Sequence, residues 1–380
     1  MTARSDGVQI GISLSSLGYL LAGLGACIAI LARDLDEPTG RLALLSSAFA
    51  VGLVIVAAVG PRLLRAWSIG VVLRVGSLIC AFGGALLALA PVYAVVVVGG
   101  LCVGLGGALL VLVAPLMLHG PTAAARLSRV NAVSSAAGIL APLTIGLIDA
   151  LGVTGRVAML VAVPPLLILA FVKGPDTVLP DLAEAPSGHA VGRTVALGWL
   201  RVVLAVGVEF CFVVWAVARL VDSGLTLAVA ALLGSSFPIG MAIGRAIGPV
   251  HWRSVPPVVI GGSLAIVGTL LVSLLNAPVV IAVGLVIAGI GVAPLYPVTL
   301  AALVAMPGLS PTRLAALGAL ASGTAILITP AALAALARLM DLRLAYLITI
   351  PLLLTLFALS RSSGPAPLIN SMAGARPPLD

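Results

Sequence analysis

Glu209 is the residue of this chain with the clearest claim to chemistry. It stands in "RVVLAVGVEFCFVVWAVARL", Arg201 to Leu220, roughly twelve residues into an otherwise apolar run, and no other acid sits so deep in such a run. If that run crosses a bilayer, a rise of about 1.5 Å per residue places the carboxylate near the midplane. A charge there costs roughly 2.5–3.5 kcal/mol on insertion scales, so Glu209 should face a cavity, pair with a cation or carry a proton. The plainer reading is a protonated Glu bonding a neighbouring helix. The other candidates for contact with a solute are Tyr19, Trp215 and Tyr296, with Asn131 and Ser235 as polar partners. One Gln and three Asn in 380 residues are too few directed groups for a sugar with many hydroxyls, so a small amphiphilic solute touching aromatics fits better. Arg245 and Arg253 flank a short connection after the eighth apolar run, as Arg62 and Arg65 do after the second. Phosphate anchoring, contacts with helix C-termini and gating are the roles open to these four. Arg74 and Arg201 lie a turn or two inside their runs, where a long side chain can snorkel to the headgroups.

Enzyme signatures are missing: there is no GxSxG, HExxH or Walker loop, and His119, His189 and His251 fall in loops without metal spacing. Cys27, Cys80, Cys102 and Cys211 sit in four different runs. The expectation is therefore a chain with no cofactor and no metal, drawing on a proton gradient. "GLCVGLGG" from Gly100 reads as close helix packing rather than a dinucleotide loop, as do Gly240, Gly244 and Gly248 at four-residue spacing.

Those residues have to be positioned by elements that live in lipid. Hydrophobic residues make up 61% of the chain and charged ones 8%, against about a quarter charged in soluble domains. Twelve apolar runs of helix-spanning length cover 8–31, 42–60, 67–90, 93–117, 130–148, 157–172, 195–218, 225–247, 255–275, 278–300, 314–337 and 344–360. Short alternating strands of a barrel do not appear. The first run is too long for a signal peptide and reads as a retained span. Of the 20 Lys and Arg, six (Arg33, Arg41, Arg156, Arg219, Arg338, Arg343) fall on one side of an alternating topology and fourteen on the other. By the positive-inside rule both termini are expected in the cytoplasm, with the chain in the plasma (inner) membrane. Dispersed arginines with few aromatics argue against nucleic acid as a partner, despite the net charge of +8.

The chain also repeats itself. "LALLSSAFAVGLVIVAAVGP" from Leu42 matches "AALLGSSFPIGMAIGRAIGP" from Ala230 in half of its positions, without a gap, and Ala57 of the first copy stands opposite Arg245 of the second. Arg126-Leu127 answers Arg313-Leu314, Pro142 answers Pro330, and the glycines at Gly104 answer Gly289. A near-constant spacing over so long a stretch implies two parallel six-helix halves. We expect bundles at 1–172 and 195–360, a Pro/Gly-rich cytoplasmic linker at 173–194 and a disordered tail at 361–380. The fold class is thus all-α integral membrane protein with about 12 transmembrane helices and pseudo-two-fold symmetry.

Several stretches carry a resemblance: "LARDL" closing the first helix, "LLSSAFAVG" in the second, "GVEFCFVVW" (207–215), "GMAIGR" ending at Arg245, and "GIGVAPLYP" (289–297). In these the chain resembles the major facilitator superfamily over about 8–360. The Glu-and-Trp seventh helix and "PLYP" are most similar to the fucose and sugar-permease-like branch. The resemblance implies two bundles rocking about a central cavity and secondary transport, commonly proton-coupled. It also marks departures. The loop after the second helix, "GPRLLRAW" from Gly60, lacks the Asp that usually latches the cytoplasmic gate. The antiporter signature of the fifth helix survives only as "GILAPLTIG" from Gly138. The reading is a monomeric secondary transporter that exports a small amphiphilic organic solute with Glu209 as the proton- or substrate-linked group. An importer of a small nutrient or organic acid is the alternative, and a membrane-embedded enzyme or assembly factor a further one.

Overall fold

A backbone N–H or C=O exposed to hydrocarbon has no water to bond, so apolar runs of this length close their hydrogen bonds within themselves as helices. A computed structural model, which describes residues 2–42, 44–118, 123–172, 189–250, 255–306, 309 and 311–361, shows this outcome. Twelve helical rods form: α1 Thr2–Leu35, α2 Leu44–Ala66, α3 Ile69–Leu89, α4 Tyr93–Met117, α5 Ala123–Ala150 and α6 Gly155–Phe171 in the first half. The second half holds α7 His189–Asp222, α8 Leu227–Ile247, α9 Pro257–Leu274, α10 Pro278–Val304, α11 Pro311–Ala337 and α12 Leu342–Arg361. Ten contain apolar stretches of 18 residues or more, and shorter ones lie in α2 and α6. The protein is an integral membrane protein.

Proline opens α9, α10 and α11, where its missing N–H would have no partner anyway. Residues in the left-handed region follow α1, α5, α7 and α8: Asp36, Gly152, Gly224 and Gly248. α1 and α7 outrun their apolar cores at both ends. Residues 189–194 of the expected linker are the first turns of α7, and 173–188 and the tail from 362 lie outside the described residues.

The repeat is visible as contacts that recur. A Cβ on Gly104 of α4 would strike the Phe49 carbonyl of α2, and one on Gly289 of α10 would strike the Phe237 carbonyl of α8. Gly76, Gly83, Gly99 and Gly106 bring α3 and α4 together backbone to backbone; Gly261, Gly268, Gly284 and Gly291 do so for α9 and α10. Without a hydrophobic force between helices in lipid, such small-residue contacts supply the attraction through dispersion.

Among the described residues, three main contacts join the halves. α1 crosses α7 where Gly25 meets the Val213 carbonyl, residues 188 positions apart and therefore repeat mates. α2 packs on α11, with Gly323 against Leu53 and Val54 and the Ser47 hydroxyl 3.4 Å from the Leu327 carbonyl. α5 packs on α8, with Gly146 against Leu232 and Ala228.

Polar residues tie helix ends on the face away from the termini. Arg33 closes α1 with a two-pronged bond to Asp149 of α5, at 2.9 and 2.8 Å. Asp34 takes the Thr154 hydroxyl and lies 3.5 Å from Arg156. Arg156 in turn donates to the Ala90 carbonyl beyond α3, at 2.7 Å. In the second half the fully buried Arg219 serves the end of α9, donating to Val272, Leu275 and Asn276. Arg156 and Arg219 thereby satisfy carbonyls that a helix C-terminus leaves open. Stacked Phe212 and Phe237, 5.2 Å between centroids, with Tyr346 beside Phe212, knit α7, α8 and α12.

Candidate functional site

α8 differs from its repeat mate α2 in the middle of the span they share. Its helix is interrupted at Ser235, between segments Leu227–Gly234 and Ser236–Ile247. Pro238, standing where α2 has Ala50, has no N–H for the Gly234 carbonyl, so the ladder breaks one turn earlier. Ser235 is buried at the break and donates to the Leu232 carbonyl at 2.6 Å. The lower segment carries Arg245 in its last turn.

Arg245 does not sit in a cytoplasmic connection as its spacing from Arg253 suggested. Its guanidinium turns back into the helix bundle. One terminal nitrogen lies 3.6 Å from a Glu209 carboxylate oxygen, and the other donates to the Ser135 hydroxyl of α5. Glu209 lies 13 residues before the end of α7 and Arg245 18 residues into α8, which differ in depth by roughly 7 Å at 1.5 Å per residue. Two long side chains span that gap. The side chains are 16% and 27% exposed respectively, so the pair is mostly dehydrated yet open to small species. At an effective dielectric near 20 a separation of about 4 Å gives an attraction of about 4 kcal/mol. That is comparable with the cost of placing one charge in the membrane, so the pair holds together without being locked.

Ser135 donates its own proton to the Asn131 carbonyl one turn away, at 2.8 Å. This orients the hydroxyl oxygen's lone pairs outward, to the guanidinium. Asn131 itself is exposed on the same face of α5. Tyr296, half-buried just past the interruption of α10 at Ala293-Pro294, lies beside Ser322 of α11 and within electrostatic reach of both Glu209 and Arg245. The structure therefore gathers Glu209, Arg245 and Tyr296, and adds Ser135 from the other half.

The remaining sequence candidates are placed elsewhere. Tyr19 is buried inside the first bundle, its hydroxyl 2.5 Å from Thr144 of α5 and donating to Ala158 of α6 at 3.0 Å. Trp215 is buried between α7 and α11, with its indole N–H on the Pro330 carbonyl at 3.3 Å. Arg62 and Arg65 are exposed at the end of α2, and Arg253 lies outside the described residues. Arg201 is buried rather than snorkelled, donating to the Leu359 carbonyl of α12, while Arg74 bonds Gly70 of its own helix at 3.3 Å.

Ser135 was the residue the sequence hid. Like many serines in spans it bonds its own helix, and nothing in its type announces a partner. The signal was positional: its repeat mate is Gly323, just as Glu209 is matched by Leu21 and Arg245 by Ala57. All three members of the network stand where the repeat offers an apolar residue.

No protein-family model matches the chain, and no curated protein is similar to it at a significant level. Solved structures are similar in fold. A bacterial homologue of the human lysosomal transporter Spinster, inward-facing and unoccupied, superposes with a TM-score of 0.71 at 12% identity, over 95% of this chain and 97% of that one. A variant of the nucleoside transporter NupG gives 0.68 at 13%, over 94% and 99%. A variant of the E. coli fucose:proton symporter FucP gives 0.64 at 18%, over 96% and 100%. The chain has the major facilitator fold: two six-helix bundles related by a pseudo-two-fold axis.

Proposed function

We propose that this chain is a secondary active transporter that works by alternating access, exporting a small amphiphilic organic solute against proton entry, with Glu209 as the coupling group. The observation that carries the reading is the Glu209–Arg245–Ser135 network, a carboxylate deep in a membrane span whose cation partner reaches into the other half. A group at that place has its charge state felt by both bundles. The similarity to solved transporters supports the same reading at the level of fold. One proton entering down 100 mV releases about 2.3 kcal/mol, enough for roughly fifty-fold accumulation of a neutral solute. The scarcity of polar side chains in the spans favours a weakly polar solute, with Tyr296 as an aromatic surface beside the pair. An importer of an organic acid would have drawn on Arg74 or Arg201, and both are engaged with helix carbonyls.

Metabolites inside and outside cells with and without the protein, compared at two external pH values, test the direction: a compound depleted inside and enriched outside supports export, and the reverse supports import. With that compound in hand, Glu209→Gln should abolish gradient-driven transport while leaving exchange. Wild-type pH dependence in that variant rules out the coupling role.

A further inference from the structure

The two lateral seams between the halves are repeat mates, α2 with α11 and α8 with α5, yet they are built differently. At the first, Gly323 lies against Leu53 and Val54, with Ala57 one turn on. At the second, the same places hold Ser135 and Arg245, bonded to one another, with Glu209 behind them. We infer that Ser135 is a positioning residue for coupling: it holds Arg245 on the first half, so that the charge of Glu209 in the second half is read across the α5–α8 seam and not across its mate.

The inference rests on the coupling role of Glu209. The geometry gives Ser135 its part. Its hydroxyl proton is committed to the Asn131 carbonyl, so toward Arg245 it can only accept, and a guanidinium can only donate. When Glu209 is ionised, Arg245 is held between the carboxylate and the hydroxyl. When Glu209 takes a proton, the guanidinium keeps one neutral acceptor and no counter-charge in a mostly dehydrated place, so it leaves for water and the seam loses its polar tie. The charge acting on Glu209 is Arg245 from α8, and Tyr296 from α10 is the neutral group that feels both. α1, α11 and α12, which also pack on α7, contribute no further charge to it among the described residues. Ser47, on the mate seam, sits 3.4 Å from the Leu327 carbonyl, and no ion pair among the described residues involves it.

The test needs protons alone. Spin labels at V133C and I247C, both exposed positions of α5 and α8, report the seam in the full-length protein reconstituted in lipid nanodiscs, with Cys102 replaced by Ala. Acidification from mildly alkaline to mildly acidic pH should shift the inter-label distance distribution to a longer population. E209Q should show that longer population at both pH values. S135A should reduce the pH-driven change to less than about half, S135T should restore it by supplying a hydroxyl, and S47A should leave it intact. A parent with no pH response, an S135A that responds like the parent, or an S47A as impaired as S135A overturns the inference. E209Q that is flat while S135A responds fully sinks Ser135 and spares the coupling reading; E209Q that still responds like the parent sinks both.

Discussion

Arg245 has two obligations, one to each half, and lysine can meet only one of them because its ammonium is a point charge on a stem without a fork. Arg245→Lys should therefore keep the protein folded but weaken transport, whereas Arg245→Ala should also cost about 1–3 kcal/mol of stability by leaving Glu209 without its cation, the lower end reflecting the pair's partial exposure. Thermal melting in detergent reads both. In a double-mutant cycle, Glu209→Gln with Arg245→Gln should be less damaging than the two single losses added, by about 1–2 kcal/mol; strict additivity would mean that the 3.6 Å approach carries no coupling energy. At this scale the sequence was half legible. Glu209 was conspicuous because an acid in lipid is expensive. Arg245 was visible as a break in the repeat, but its partner was not, since which neighbours its side chain meets depends on how α8 leans on α7 and α5. Tyr19 looked like a ligand contact because it is a polar aromatic in a span; Thr144 and the Ala158 carbonyl, remote in sequence, take its hydroxyl.

Helices were the most readable feature, because length and hydropathy alone decide them in a membrane. Their ends were less so: α1 and α7 each run several residues past the apolar run that announced them. Their packing was legible only through glycine. Among those glycines the contacts sort the ones that matter. Gly104→Ala and Gly289→Ala should each lower the melting temperature, since the added Cβ meets the carbonyl of Phe49 or Phe237 and the helices must part. Gly11→Ala, with nothing within 4 Å of the new carbon, should leave it unchanged or raise it. A drop of equal size in all three would show that helix propensity, not contact, sets the response. Pro238→Ala should rebuild the ladder to Gly234, straighten α8 toward the form of α2 and pull Arg245 from Glu209. The expected outcome is a protein at least as stable as the parent in a melt, with transport lost.

The whole molecule is held by contacts between halves that do not depend on covalent continuity: Gly25 against Val213, Gly323 against α2, Ser135 against Arg245. If the domains divide as the sequence suggests, cutting the chain within 173–188 and co-expressing the two pieces should give a complex that purifies through a tag on either one; pieces that never associate would place the stabilising contacts elsewhere. The repeat was legible as sequence because ten of twenty positions agreed in one window, while the inequality of its halves became meaningful only when Ser135 and Arg245 proved to touch. Joining the halves in one chain has a consequence of its own. Two identical six-helix chains meeting about a two-fold axis would have to place the same residue on both sides at Gly25 and Val213, either two glycines or two valines. They would likewise carry the acid, the arginine and the serine twice, and so sink two ion pairs into the membrane. A single polypeptide is released from that rule: it can place small against large at the axis and keep one ion pair where a homodimer would need two.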